Sequence, residues 1–234
     1  MYLSVNPGAV VMEAMAFDLQ ALLMDKRKLA ALPRTQRMSL VADAVRGLSY
    51  LHRHASITHG DVKAANMMVN GPCTVLKLCD FGLAGRSHKD RVMGCTPLYA
   101  APEVIAGVVT ASPAVMRPSM DTYSVGLVAL QVLDLADEPR TSRFADELDG
   151  QPAKMCDLRD TLLEPWLWDA RGGLCFEDEV TKLMMAWLSK FPPHRPPLGT
   201  LEKALEDGRL WSRASPKQQR RKLEQRRQDE LEMW

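Results

Sequence analysis

A ten-residue polar stretch, followed by a short turn motif, constrains the fold of this chain more than any other feature. Residues 57–66 read Ile-Thr-His-Gly-Asp-Val-Lys-Ala-Ala-Asn, and residues 80–82 read Asp-Phe-Gly. Between them, residues 67–79 hold two short strand patterns on either side of an Asn-Gly turn signal, which predicts a β-hairpin. Such a hairpin would bring Asn66 and Asp80 together at its open end, so the two loops are predicted to form one polar site.

The polar residues of this site are of the types that phosphoryl transfer requires. An aspartate such as Asp61 can accept a hydroxyl proton, and Lys63 presents a point charge suited to a phosphate. Asn66 and Asp80 offer an amide oxygen and a carboxylate, which are hard ligands of the kind that Mg²⁺ prefers. Each short motif taken alone is common in ordinary turns. It is therefore the ordered combination that predicts the chemistry.

This combination resembles the catalytic centre of eukaryotic-type serine/threonine protein kinases. The resemblance implies that Asp61 is the general base and that Lys63 faces the γ-phosphate. It also implies that Asn66 and Asp80 hold Mg²⁺. The similarity extends over residues 2–208. Three further stretches carry it: 96–103, 121–126 and 194–197.

By resemblance, those further stretches imply residues that support the catalytic loop and the fold, and they indicate the type of residue that accepts the phosphate. In the family, the carboxylate matching Asp121 holds the backbone of the catalytic loop, and the arginine matching Arg195 pairs with the glutamate matching Glu103. Lys63 together with Thr96 favours a serine or threonine of a protein substrate, rather than a tyrosine, as the phosphate acceptor.

The start of the chain resembles the hinge between the two kinase lobes, which implies a nucleotide site for ATP. The Glu13 carbonyl and the Met15 amide would meet the adenine, with Met12 as gatekeeper. Asp18 would approach the ribose, and Met68 would lie under the base. For the three methionines, plain core packing is an equally weighted alternative.

The resemblance implies an α+β fold, mostly α, in the form of a protein-kinase-like C-terminal lobe with a residual N-terminal β-hairpin. We expect residues 1–16 to be a remnant of the small lobe and residues 17–208 to form the large lobe. Residues 209–234 are expected to be a charged tail, helical or disordered. Helical periodicity supports this division, because apolar residues recur every three or four positions through residues 38–51.

Several family elements of the small lobe do not occur in the 234 residues. There is no Gly-rich phosphate loop, no strand lysine and no partner glutamate for that lysine. We therefore expect this chain alone to be inactive or to show trace activity, and the uncovered hairpin to attract a partner or to self-associate. Either the small lobe is missing through a shortened gene model, or the chain is a pseudokinase that acts as a binding scaffold. Intact Asp61, Asn66 and Asp80 favour the catalytic interpretation.

A third class is less favoured. Aminoglycoside and choline phosphotransferases share the His-Gly-Asp motif followed by an asparagine. They usually lack a counterpart of Lys63, the complete Asp-Phe-Gly motif and the Ala-Pro-Glu segment at residues 101–103. The presence of all three here favours a protein kinase.

One position departs from the family pattern. Many kinases carry an arginine between the histidine and the aspartate of the catalytic loop, and this chain has Gly60 there. That arginine normally pairs with a phosphate on the activation segment. We therefore expect any activity to be independent of phosphorylation between residues 80 and 103.

Composition narrows the remaining function classes. With 46% hydrophobic residues, 25% charged residues and a net charge of +1, the chain can bury one core and has no basic excess that would predict a nucleic-acid partner. No apolar run is long enough to span a bilayer and the amino terminus lacks a leader pattern, so we expect a cytoplasmic protein, with the nucleus as the alternative.

The five cysteines show no Cys-x-x-Cys spacing and are expected to be free thiols. Residues 111–119 and 134–157 are expected to be loop insertions without an assigned role.

Overall fold

The computed structural model describes residues 2–3, 10–133 and 179–206, and helical residues far outnumber strand residues within these ranges. The expected α+β, mostly α fold is confirmed. The strands are β1 (Tyr2–Leu3), β2 (Val10–Val11), β3 (Phe17–Asp18), β4 (Ile57–Thr58), β5 (Met67–Val69), β6 (Leu76–Leu78) and β7 (Gly85–Arg86). The α-helices are α1 (Leu19–Met24), α2 (Lys26–Ala31), α3 (Arg34–Tyr50), α4 (Pro102–Val109), α5 (Pro118–Val132), α6 (Glu179–Trp187) and α7 (Gly199–Glu206).

Helix α5 lies at the centre of the lobe. Pro118 occupies its first turn, where the missing N–H costs nothing and the fixed φ favours the helix. Every side chain from Met120 to Leu133 is buried. A helix that is buried all round forms the core rather than the surface of a domain, as its apolar sequence predicted. Each buried Leu or Val side chain contributes about 1.5–3 kcal/mol relative to an exposed one.

Helix α3 packs against α5, α7 and strand β6. Its predicted stripe is confirmed, because Met38, Val41, Val45 and Leu48 are all buried. The helix then widens into a π-helical turn over Leu51–Ala55 and stops at Ser56, whose φ of +55° cannot continue a helix. This end directs the chain into β4 and the catalytic loop.

The predicted hairpin between the two polar loops is present as β5 and β6, with Met68 opposite Lys77. Its loop is longer than the expected two-residue Asn-Gly turn. The Asn70 side chain accepts hydrogen bonds from the backbone N–H groups of Thr74 and Val75, at 2.8 and 3.0 Å, and so organises a loop over residues 70–75. Strand β3 adds a third strand on β5 that the sequence did not predict, since two residues are too short to show a period.

The N-terminal hairpin is also confirmed, with Tyr2 opposite Val11 and Leu3 opposite Val10. The sequence of residues 180–188 and 198–205 predicts two shorter surface-packed helices, and α6 and α7 begin and end within one residue of these segments. Among the described residues, none of the helices is both long and apolar enough to cross a bilayer. Cys73, Cys79 and Cys95 are free thiols, and the other two cysteines lie outside the described residues.

The predicted loop insertion at residues 111–119 is shorter than expected. It ends at Arg117, since Pro118 and Ser119 already belong to α5. Val115 forms an isolated antiparallel bridge with Arg91, so part of this loop is paired with another segment. The other predicted insertion, 134–157, and the charged tail, 209–234, lie outside the described residues.

Candidate active site

A buried carboxylate from α5 fixes the backbone of the catalytic loop. Asp121 is 1% exposed, and its two oxygens accept hydrogen bonds from the N–H of His59 at 2.7 Å and the N–H of Gly60 at 2.9 Å. The His52 ring nitrogen Nε2 lies 2.7 Å from the same carboxylate. The loop is therefore tied to the most buried helix of the lobe. His52 was not singled out from the sequence, because a histidine at a helix end gives no signal of its own.

The loop requires glycine at position 60. Gly60 has a φ of +79°, in the left-handed region that side chains rarely adopt. A Cβ atom there would lie 2.6 Å from the carbonyl oxygen of Leu83 and 2.9 Å from the Met116 methyl group. The departure from the family pattern therefore has a local steric cause.

Asp61 stands at the centre of a four-residue hydrogen-bond network. One carboxylate oxygen accepts from the Thr96 hydroxyl at 2.6 Å. The other lies 2.7 Å from Lys63 Nζ and accepts from Asn66 Nδ2 at 3.0 Å. Lys63 also donates to the Thr96 hydroxyl at 3.0 Å, which closes the network. The structure thus brings together the three predicted site residues of the first loop with Thr96. Thr96 begins the 96–103 stretch, called the substrate loop here because it resembles the loop that contacts the substrate in the family.

This network holds Asp61 in its charged form. Burial by itself raises the pKa of the carboxyl, but hydrogen bonds from Lys63 and Thr96, the Lys63 charge and the Asn66 amide lower it. The lowering effects prevail, and the pKa of Asp61 lies below its ordinary value. At neutral pH this side chain is a carboxylate that can accept a proton.

Asn66 and Asp80 present oxygen atoms at the adjoining loop. Both hydrogen bonds of the Asn66 amide nitrogen go to Asp61, so the amide oxygen Oδ1 points away from that residue. The Asn66 carbonyl accepts from the Cys79 N–H at 3.0 Å, which holds the two loops together as the hairpin predicted. Asp80 is exposed, with a φ of +58°, and one of its oxygens accepts from the Gly82 N–H.

These two oxygen donors fit Mg²⁺. They are hard ligands, and the second oxygen of Asp80 has no hydrogen-bond partner among the described residues. Within those ranges no three His, Cys, Asp or Glu side chains converge on one point. An ion bound here would therefore complete its shell with water or phosphate oxygens, as Mg²⁺ commonly does. The ring of Phe81, which follows Asp80 in the chain, packs against the ring of His59 with the centroids 5.0 Å apart.

The predicted nucleotide residues lie in the three-stranded sheet or in the segment that leads into its first strand, β3. Asp18 in β3 and Met68 in β5 are cross-strand neighbours, and Asp18 caps α1 by accepting from the Ala21 N–H at 2.8 Å. Met15 and Met68 are half-buried, so neither is a full core residue. The Glu13 carboxylate pairs with Lys77 on β6.

Met12 does not pack in the core. Its side chain is 60% exposed. Core packing, the alternative for all three methionines, therefore does not hold for Met12 in this structure.

The substrate loop at residues 96–103 is anchored from two sides. Arg195 is fully buried at its side chain and binds both oxygens of Glu103, at 2.7 and 2.8 Å. On the other side, the Ser124 hydroxyl of α5 donates to the Tyr99 carbonyl at 2.7 Å. Ser124 lies in the 121–126 stretch that carries the family resemblance, but the sequence assigned no contact to it.

Comparisons with known proteins agree with this geometry. A family model described as protein kinase domain matches residues 4–206. The dual specificity protein kinase shkA of Dictyostelium discoideum is 36% identical over 54% of this chain, and the match covers 24% of shkA. The serine/threonine-protein kinase PBL34 of Arabidopsis thaliana is 32% identical over 77% of this chain, covering 38% of PBL34. Mitogen-activated protein kinase 10 of the same plant is 30% identical over 62% of this chain. The chain thus matches well under half the length of these relatives.

Proposed function

Because the chain belongs to the protein kinase domain family, we propose that it transfers the γ-phosphate of ATP to a serine or threonine hydroxyl of a protein substrate. One observation carries this proposal. Asp61 is a buried carboxylate whose two oxygens are oriented by Lys63, Thr96 and Asn66, with hydrogen-bond distances of 2.6–3.0 Å. Such an orientation is what a general base needs in order to position a hydroxyl for attack.

In the proposed reaction, Asp61 accepts the proton of the substrate hydroxyl as its oxygen attacks the γ-phosphorus. The new oxygen–phosphorus bond forms while the bond to the bridging oxygen of ADP breaks, and ADP is the leaving group. The Lys63 ammonium group contacts both Asp61, at 2.7 Å, and the Thr96 hydroxyl, at 3.0 Å, and we propose that it also faces the transferred phosphoryl group. Its charge would offset the negative charge of the transition state.

The acceptor type is inferred from Thr96. Its hydroxyl donates to Asp61 and accepts from Lys63, so the substrate loop lies directly against the base. This arrangement supports a compact aliphatic hydroxyl as the acceptor. PBL34, which is named a serine/threonine-protein kinase, agrees with serine or threonine, whereas the dual-specificity name of shkA does not distinguish these acceptors from tyrosine.

We assign the nucleotide and metal contacts to the predicted residues. The Glu13 carbonyl and Met15 amide would meet the adenine, Asp18 the ribose and Met68 the lower face of the base. Asn66 Oδ1 and Asp80 would hold Mg²⁺, which supplies charge neutralisation at the phosphates when it is bound.

A binding function is the second candidate, and it is favoured by two large apolar side chains near the site that are exposed to solvent. Phe81 is 48% exposed and Met12 is 60% exposed. The 234 residues include no Gly-rich loop and no strand lysine to cover the phosphates. We therefore propose that full turnover requires such groups from outside these residues. Without them the chain would act as a scaffold, with its N-terminal hairpin open to a partner.

Replacement of the base tests the catalytic proposal. Asp61→Asn keeps the volume but removes the proton acceptor, and a general base contributes roughly 10²- to 10⁴-fold to the rate. The measurement is transfer of radiolabelled phosphate to a serine/threonine peptide by the longest natural form of the protein. The matched control is Asp25→Asn, because Asp25 caps α2 on the surface and asparagine caps equally well. Equal rates for Asp61→Asn and the parent would remove Asp61 from the role, and a scaffold would show no transfer in either.

A further inference from the structure

The loop before α5 makes ordered contacts that the proposed function does not use. We define the 113–116 segment as Pro113–Met116. Its backbone is hydrogen-bonded to the activation segment, residues 80–103. The Met116 N–H donates to the Asp90 carbonyl at 2.9 Å, and the Met116 carbonyl accepts from the His88 N–H at 2.7 Å. The Ala114 carbonyl accepts from the Val92 N–H at 2.9 Å, so the two segments pair along several residues.

The same part of the activation segment is held on its opposite edge by the start of the catalytic loop. Strand β7 pairs with β4, where Thr58 lies opposite Gly85. The hydroxyls of Thr58 and Ser87 are 2.8 Å apart, and the Ser87 N–H donates to the Ser56 carbonyl. Residues 85–92 therefore lie between the catalytic loop and the 113–116 segment.

The Met116 side chain fills the space where these three segments meet. It is 1% exposed. A Cβ atom added to Gly85 would lie 2.6 Å from the Met116 sulfur, and one added to Gly60 would lie 2.9 Å from its methyl group. Two residues without side chains thus leave the room that one methionine occupies. Close packing of this kind is lost when even a few methylene groups are removed.

The hydroxyl groups of the activation segment are already engaged. Between Asp80 and Glu103 the hydroxyl-bearing residues are Ser87, Thr96 and Tyr99. Ser87 is hydrogen-bonded to Thr58, Thr96 to Asp61, and buried Tyr99 to Gln131. A phosphate on any of them would break an internal contact, so order in this segment has to come from another source.

We propose that Met116 is a positioning residue, which holds the activation segment against the catalytic loop where other kinases use a phosphate and an arginine. The proposal rests on the proposed function for its purpose, because an ordered segment keeps Thr96 against Asp61. An arginine at position 60 is excluded by the backbone there, and Met116 from the neighbouring segment occupies the adjoining space. Gly60, Gly85 and Met116 therefore form one complementary set.

Hydrogen exchange of backbone amides tests the proposal without relying on catalysis. In Met116→Ala, the amides of His88 and Val92 are expected to exchange about tenfold faster or more, because a large buried side chain is lost and local opening becomes easier. Amides of the β5–β6 hairpin should keep their parent rates. Met93→Ala is the matched control, since Met93 lies in the same segment but is 85% exposed. Met116→Leu should restore most of the protection, as it conserves volume.

A second pair of variants separates packing from general damage. Gly85→Ala places a methyl group against the Met116 sulfur and should also accelerate exchange at His88 and Val92. The double variant Gly85→Ala with Met116→Ala relieves this clash, so its acceleration should be smaller than the product of the two single effects. Gly71→Ala is the control, because nothing lies within 4 Å of a Cβ atom there.

Several results would overturn the proposal. These are unchanged exchange in Met116→Ala, equal effects of Met116→Ala and Met93→Ala, or independent effects of the Gly85 and Met116 changes. Loss of protection in the parent after phosphatase treatment would show that a phosphate holds the segment instead. If the parent protein transfers no phosphate, so that the proposed function fails, these exchange results still decide the role of Met116.

Discussion

At the scale of single residues, the pKa of Asp61 is the result of opposing effects from burial and from its neighbours. Burial favours the neutral acid, and contacts with Lys63, Thr96 and Asn66 favour the carboxylate. Since the pKa of Asp61 is lowered in the folded state, its ionised form stabilises the fold. This contribution is present above the unfolded value of about 3.9 and is lost as the pH falls through the lower folded-state pKa.

We predict that Thr96→Val raises the pKa of Asp61, because it removes one donor while burial of the carboxyl persists. A ¹³C NMR titration of the aspartate carboxyl carbons measures this shift directly. Acid destabilisation of the variant should accordingly begin at a higher pH than in the parent. Thr110→Val is the control, since that hydroxyl bonds only to the Ala106 carbonyl at the end of α4. An Asp61 titration that does not move in Thr96→Val would show that the hydroxyl has no electrostatic effect on the base.

At the scale of elements, the contact between Glu103 and Arg195 joins the start of α4 to the loop before α7. The guanidinium also donates to the carbonyls of Ser189 and Ser119, at 2.8 and 2.9 Å. Arg195 thus connects three parts of the chain, namely the starts of α4 and α5 and the loop between α6 and α7. Its removal affects the packing of whole elements rather than one surface contact.

We predict that Glu103→Ala lowers the free energy of unfolding by about 3 kcal/mol, because it strands a buried guanidinium. The value is taken at the lower end of the usual range because the Glu103 side chain is 22% exposed. Urea denaturation measures the change. Arg86→Ala is the matched control, since its ion pair with Asp90 lies at the surface and should contribute little. Equal unfolding midpoints for Glu103→Ala and Arg86→Ala would contradict the prediction.

At the scale of the whole molecule, the described residues would cover only one side of the proposed nucleotide site. The residues proposed to bind the adenine and the metal lie among them, while Phe81 and Met12 are exposed to solvent. Charge contacts that are open to water are weakened by its high dielectric constant. The lobe therefore orders the proposed catalytic side chains, but it leaves the proposed nucleotide site open to water.

We predict that residues 1–234 bind Mg·ATP with a Kd weaker than about 1 mM, the upper end of ordinary enzyme KM values. Calorimetric titration measures the affinity, and Asp80→Asn should weaken it further if the metal is held as proposed. Micromolar binding together with turnover of about 1–100 s⁻¹ would contradict the prediction. A concentration-dependent rate in that case would indicate that a second copy covers the site.

The sequence by itself determined the family, the order of the polar loops and the main elements. Spacing alone was enough to join Asn66 to the strand before Asp80, because a hairpin of short strands has few registers. Helix α3 and the buried α5 could also be predicted, since their apolar residues follow the period of a helix. These features depend on residues that are close together in the sequence, so sequence patterns are sufficient to predict them.

Only the tertiary structure decided the contacts between distant segments. His52 and Ser124 act through neighbours that are 69 and 25 residues away, and no pattern near either residue marks that partner. The loop before α5 had no assigned role until its pairing with residues 88–92 was seen. In the sequence, Gly60 indicated only that an arginine common in the family is absent. The structure shows that the backbone at Gly60 is left-handed and lies against Leu83, and that Met116 occupies the adjoining space. Packing between segments depends on the volumes and positions of side chains that meet in three dimensions, and these cannot be deduced from the order of residues in the chain.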